Sequence, residues 1–133
     1  MENQSCVLIQ TEWDIVAARQ LGRNVAKEVG FGTVDQARIT TAISELARNI
    51  YIYAGEGQVC IEKIIKNGQA GLRIVAVDKG PGIPDIRLAM EDGYSTSGGL
   101  GAGLPGVKRL MDDFEIDSSL GSGTEIKASK WIR

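Results

Sequence analysis

The 133-residue chain contains no histidine. That absence excludes serine or cysteine triads with a histidine base, histidine-rich zinc sites and phosphohistidine relays carried on this chain. Any base it uses must be a carboxylate, a lysine or water. Its two cysteines, Cys6 and Cys60, lie far apart and fit neither a metal motif nor a disulfide framework. Each stands in an apolar run and is expected to be a small buried hydrophobe. No window approaches the roughly 18 apolar residues of a membrane span. The opening "MENQSCVLIQTEWD" lacks a basic leader segment, so a cytoplasmic location is expected. A formal net charge of -2 supplies no general attraction to nucleic acid or to an anionic membrane, and neither partner is expected. Repeats, low-complexity tracts and Pro/Ser-rich linkers are absent too, which predicts one domain over residues 1–133.

What is present is the composition of a soluble globular protein, 43% hydrophobic and 24% charged, enough for a core without disulfides or a structural metal. "CVLIQ" (6–10) reads as a first strand. From Thr11 the residues Trp13, Val16, Ala17, Leu21, Val25 and Val29 follow helical spacing until Gly30 and Gly32. A second helix of about twenty residues opens at Thr33, where Thr33 and Gln36 match a capping box, and closes at Gly55. Two strands follow, joined across Asn67-Gly68, a strong hairpin signal. The second strand runs into Asp78. A short helix near Ile86–Met90, a glycine-rich loop, a helix from about Leu104 to Asp113 and a closing hairpin complete the chain. The order β-α-α-β-β-α-β-β with two hairpins predicts an α+β fold. Its form is a two-layer sandwich with helices on one face of a mixed, mostly antiparallel sheet.

Three features can carry chemistry. "STSGGLGAGLPGVKRLMDDF" (95–114) sets Gly98, Gly99, Gly101, Gly103 and Gly106 ahead of a helix. "GAGLPG" satisfies G-x-G-x-x-G literally, but no hydrophobic strand leads into it, so the dinucleotide reading fails; no P-loop occurs either. The segment suits a phosphate chain at a helix N-terminus, with Pro105 fitting an early helical position, or it is a flexible surface loop. In "AVDKGPGIP", Asp78 ends an apolar strand ahead of Gly80 and Gly82. It can accept a hydrogen bond from an exocyclic amine, or simply initiate a turn. In "SELARN", Glu45 and Asn49 stand four apart on one helical face, about 6 Å of rise between them. They can hold a magnesium ion and order its waters, or orient an attacking hydroxyl, or form an ordinary solvated pair. Arg48 is read as a surface charge.

Glu-x-x-x-Asn on a helix, Asp-x-Gly-x-Gly, a glycine-rich loop and "GSGT" (121–124) follow one another in the order that resembles the nucleotide-binding boxes of the GHKL superfamily. That superfamily contains gyrase, the Hsp90 chaperones, histidine kinases and the MutL proteins, and its fold is of the Bergerat type. The length, with "TEWDIVAARQLGRNVAKEVGFGTVDQARITTAISELARNIYIYAG", is similar to the small serine kinases of bacterial partner-switching pathways. The resemblance implies Glu45 as the residue assisting the acceptor hydroxyl, Asn49 as the Mg2+ ligand and Asp78 as receiver of the adenine amine. Gly80 and Gly82 would line the base, Gly99, Gly101 and Gly103 would wrap the triphosphate of ATP, and Thr124 would bond near the adenine and Asp78. It also implies substrates, the STAS-domain antagonists and scaffold proteins of a stressosome, and a PP2C-type phosphatase that the released kinase binds and activates. An anti-sigma factor kinase of the same family shares all four boxes, whereas a noncatalytic ATP-binding adaptor needs only the adenine and phosphate contacts and no group such as Glu45 beside an attacking hydroxyl.

Overall fold

The computed structural model describes residues 4–80, 103–119 and 121–133. The elements are β1 (Gln4–Ile9), α1 (Glu12–Val29), α2 (Thr33–Asn49), a π-helical turn (Ile50–Ala54), β2 (Gly57–Lys66) and β3 (Gln69–Asp78). After the undescribed stretch come α3 (Gly103–Leu110), β4 (Asp113–Ser119) and β5 (Gly123–Trp131). The strands form one sheet in the order β1-β2-β3-β5-β4, with the helices on one face. The fold is α+β. Every strand pairing among the described residues is antiparallel, which corrects the expectation of a mixed sheet. Hairpins explain this. Asn67 and Gly68 both take positive φ, 53° and 78°, the geometry whose twist matches that of paired strands. The expected helix near Ile86–Met90 lies outside the described residues.

Helix α1 starts where the Asp14 carboxylate folds back on the chain, accepting the N–H groups of Gln10 and Thr11, each at 2.9 Å. Those two bonds hold the Asp14 carboxyl below its ordinary range. The face it buries is Ile15, Ala18, Gly22, Val25 and Ala26. Here the periodicity misleads: Trp13 is 81% exposed and Val16 43% exposed, so the true apolar stripe lies rotated from the expected one. Gly22 sits in that stripe because a Cβ there would run into the Ile43 side chain, so glycine lets α1 and α2 approach closely. Helix α2 occupies the middle of the helical layer and buries Ile39, Thr40 and the whole run Ala42–Ala47. Its N-cap is Gly32, not Thr33. Gln36 closes the turn by donating its side-chain amide to the Phe31 carbonyl at 2.8 Å, so the expected capping box is not formed. Gly55, at φ 80°, ends the π-helical turn as a terminator should.

Between the layers lie the fully buried Ile9, Ile39, Ile43, Leu46, Val59, Ile61, Leu72, Ile74 and Val107. The cysteines depart from expectation. The β1–β2 register sets Cys6 opposite Cys60, and the two sulfurs form a disulfide. Sequence spacing carries no trace of this pairing, because it arises only when β1, at the sheet edge, aligns with β2. Among the described residues no helix is long and apolar enough to cross a membrane.

Candidate functional site

The end of the central strand β3 fixes the first side chain. Asp78 is the last residue of β3, flanked in register by Gly57 of β2 and Thr124 of β5. Its Oδ1 accepts the N–H of Gly80 at 2.9 Å, an Asx-type turn that directs the chain away from the sheet. Glycines permit the crowding around it. A Cβ on Gly80 would stand 2.7 Å from the Cβ of Ala54, and one on Gly57 would stand 2.6 Å from the Ile50 side chain. One on Gly123, which takes φ +92°, would collide with the Asp78 carbonyl oxygen. The π-helical turn and the end of β3 are thus in contact through backbones that no larger residue would allow.

That contact brings α2 to the same place, because Asn49 directly precedes the π-helical turn. A π-helical turn winds wider than an α-helical one and often occurs at functional sites. One turn earlier on α2 lies Glu45, 4% exposed. Its Oε1 accepts a hydrogen bond from Arg48 Nη1 at 2.9 Å, whereas its Oε2 is buried with no hydrogen-bond partner among the described residues. A buried carboxylate oxygen without a donor is costly. It is an acceptor in want of a proton donor.

Arg48 is therefore no simple surface charge, which corrects the sequence reading. It pairs with the buried Glu45 and is half-buried itself. The i, i+3 spacing on one helix could have revealed it. Thr124 shares a hydrogen bond with Ser118 of β4, Oγ to Oγ1 2.8 Å, and sits directly opposite Asp78. Ser118 and the close-packed Gly57 were missed, because nothing in their local sequence separates them from ordinary strand and turn residues; Gly123 lies in the GSGT box, but its close approach to Asp78 was not foreseen. Gly103 opens α3 with φ +68°. Pro105 falls in the first turn, where its missing N–H leaves no helix bond unmade. Helix α3 ends at Leu110, earlier than the expected Asp113, since Asp113 already begins β4. Gly82, Gly99 and Gly101 lie outside the described residues.

Comparison with known proteins accounts for this arrangement. Residues 34–131 match the family model described as histidine kinase-, DNA gyrase B-, and HSP90-like ATPase. Over all 133 residues, and over 100% of both chains, the sequence is 75% identical to the serine/threonine-protein kinase RsbT of Bacillus subtilis (strain 168). It is 36% identical over 106 residues to the anti-sigma F factor of Clostridium beijerinckii, covering 74% of this chain and 73% of that one. Among solved structures, the RsbU and RsbW domains of Rv1364c from Mycobacterium tuberculosis superpose with a TM-score of 0.67 at 19% identity. That superposition covers 98% of this chain and 33% of the other, and it shows the shared fold. The chain belongs to the histidine kinase-, DNA gyrase B- and HSP90-like ATPase family, in the branch that includes the serine/threonine kinase RsbT.

Proposed function

We propose that the protein, acting as one unit over residues 1–133, transfers the γ-phosphoryl group of Mg-ATP to a serine or threonine of a STAS-domain antagonist in a bacterial stressosome. Kinase activity and ATP use follow from the family; the acceptor, the magnesium and the residue roles are our reading. The observation that carries it is Glu45, a buried carboxylate whose Oε2 has no donor among the described residues. A substrate hydroxyl is such a donor.

The residues fit magnesium-bound ATP by their chemistry. Asn49 offers a hard amide oxygen one turn from Glu45. Among the described residues no group of three His, Cys, Asp or Glu could hold a metal alone, so the remaining ligands would come from phosphate and water. When bound, Mg-ATP supplies the phosphoryl group and the cation that neutralises it. The chain supplies positions and a base. Asp78 would accept the adenine amine, Gly80 and Gly82 would line the base, and Thr124, paired with Asp78 across the sheet, would bond near the adenine. Gly99, Gly101 and Gly103 would hold the phosphates, and the free N–H groups opening α3 would suit their charge. Glu45 Oε2 takes the hydroxyl proton as the oxygen attacks, while Arg48 holds the other carboxylate oxygen still.

The reading extends to a cytoplasmic partner switch: the antagonist and a PP2C-type phosphatase compete for the kinase, and the released kinase activates the phosphatase. Its 36% identity to an anti-sigma F factor supports a second reading, direct capture of a sigma factor. Pull-downs against the phosphatase and against a sigma factor separate the two.

Incubation with γ-labelled ATP and a purified STAS-domain protein tests the transfer itself. The label is expected on the partner in an acid-stable, base-labile form, phosphoserine or phosphothreonine. An acid-labile, base-stable product would sink the assignment, and the chain's lack of histidine gives it no phosphohistidine route of its own.

A further inference from the structure

Helix α1 carries an exposed seam that neither the core nor the nucleotide site uses. Trp13, Val16, Gln20, Arg23 and Lys27 recur at alternating steps of three and four, so they line one stripe of the helix. All five are exposed. The stripe runs from Trp13 to Lys27, about 21 Å of helix. Its first half is apolar. Its second half is basic, and Arg23 and Lys27, with Arg19 on the flank, have no carboxylate partner among the described residues. The cationic row stands out on a chain whose net charge is -2.

The seam begins at the catalytic end of the molecule. Ile9, the last residue of β1, pairs with Gly57, and Gly57 pairs with Asp78. Helix α1 starts at Glu12, only three residues beyond Ile9. Its first turn, with Trp13, therefore rises from the sheet end that carries Asp78. The π-helical turn next to Asn49 adds two more exposed apolar side chains, Ile52 and Tyr53. A protein presenting a hydroxyl to Glu45 must cover this end.

Resting on the phosphotransfer reading above, we propose that the Trp13-to-Lys27 seam of α1 is the docking surface for the acceptor protein. The chemistry specifies that partner: an apolar pocket that takes Trp13 and Val16, bordered by Asp or Glu side chains that meet Arg23 and Lys27. Tryptophan and arginine dominate binding energy at protein interfaces, and a charge row sets orientation and encounter rate. A membrane surface fits less well. The wide apolar face of α1 is already spent on the core, which leaves only two large apolar side chains on the seam.

Steady-state transfer to the STAS-domain acceptor tests the proposal with two variants, Trp13→Ala and the double change Arg23→Glu, Lys27→Glu. All three side chains are exposed, so circular dichroism and melting temperature should match the parent. The KM for the acceptor is expected to rise about 10- to 100-fold in each, as loss of an interface anchor implies. The kcat and the KM for ATP should stay at parental values. The double variant's KM should also lose most of its dependence on salt. An unchanged acceptor KM in both variants, with the parent fully active, overturns the docking surface and leaves the kinase reading intact. A parent that transfers nothing to the acceptor overturns the reading and the occupant with it. Sedimentation of the parent with phosphatidylglycerol vesicles, lost in Trp13→Ala, would overturn the protein partner in favour of a membrane.

Discussion

Replacing Glu45 with alanine is expected to slow phosphoryl transfer by about 10²- to 10⁴-fold, the usual contribution of a positioned general base. ATP affinity should change little. Under the proposed roles the two effects separate: Glu45 would meet the acceptor hydroxyl, while nucleotide binding would fall to Asp78, the glycines and Asn49. Removing the side chain deletes a buried carboxylate and strands Arg48, whose guanidinium is partly exposed and can turn to water. The fold should therefore survive, and a melting curve beside single-turnover transfer and calorimetric ATP titration checks all three points. A variant that binds ATP normally and transfers at the parental rate would remove Glu45 from the chemistry. Glu45→Gln sharpens the comparison: it keeps the shape and the Arg48 contact through its amide oxygen but cannot take a proton.

Asp78→Asn is expected to lower ATP affinity by about 10- to 100-fold, the factor implied by losing about 1.5–3 kcal/mol from a hydrogen bond to a charged group. Adenine presents an exocyclic amine where guanine presents a carbonyl oxygen. An ionised carboxylate meets the first with a bond and the second with none. An amide can turn either a donor or an acceptor toward the base, so discrimination against GTP should be partly lost. The Gly80 N–H can still bond to the Oδ1 of asparagine, as it does to that of Asp78, which keeps the turn intact. Competition binding with ATP and GTP measures both affinities. Equal ATP affinity in parent and variant would reduce Asp78 to a turn residue.

How far these roles could be read from the sequence depends on how local their causes are. Glu45 and Asn49 share a helix, so spacing alone puts them on one face. Asn67-Gly68 declares its hairpin because positive φ at two successive residues selects those residue types. Burial is another matter. That Glu45 is enclosed depends on the crowding of α2 by its neighbours, and the same spacing would have suited a solvated pair. The apolar face of α1 was misplaced because Trp13 and Val16 keep helical spacing with Leu21 and Val25 yet point to water, while Ala18 and Gly22 make the close contacts. Small residues at a helix crossing leave little trace in a hydrophobicity pattern. The Cys6–Cys60 pairing and the fit of Gly123 over Asp78 depend on strand register across distant segments, which no local window contains.

The disulfide divides the chain in a way the nucleotide site does not respect. Cys6 and Cys60 are 54 residues apart, and the bond makes a covalent ring of everything between them. Inside the ring lie α1, α2 and the π-helical turn, hence Glu45, Arg48 and Asn49. Outside it lie Asp78, Gly80, Gly103 and Thr124. In the unfolded protein the ring restricts the wandering of the first group relative to itself, since a closed loop of that length samples far fewer conformations than an open one. The second group keeps the freedom of an open tail. Assembly of the site is thus the docking of a tethered tail onto a pre-gathered loop, and the seam between them runs where adenine and phosphate are proposed to bind. A nucleotide seated there would bridge the two halves and add its binding free energy to their association.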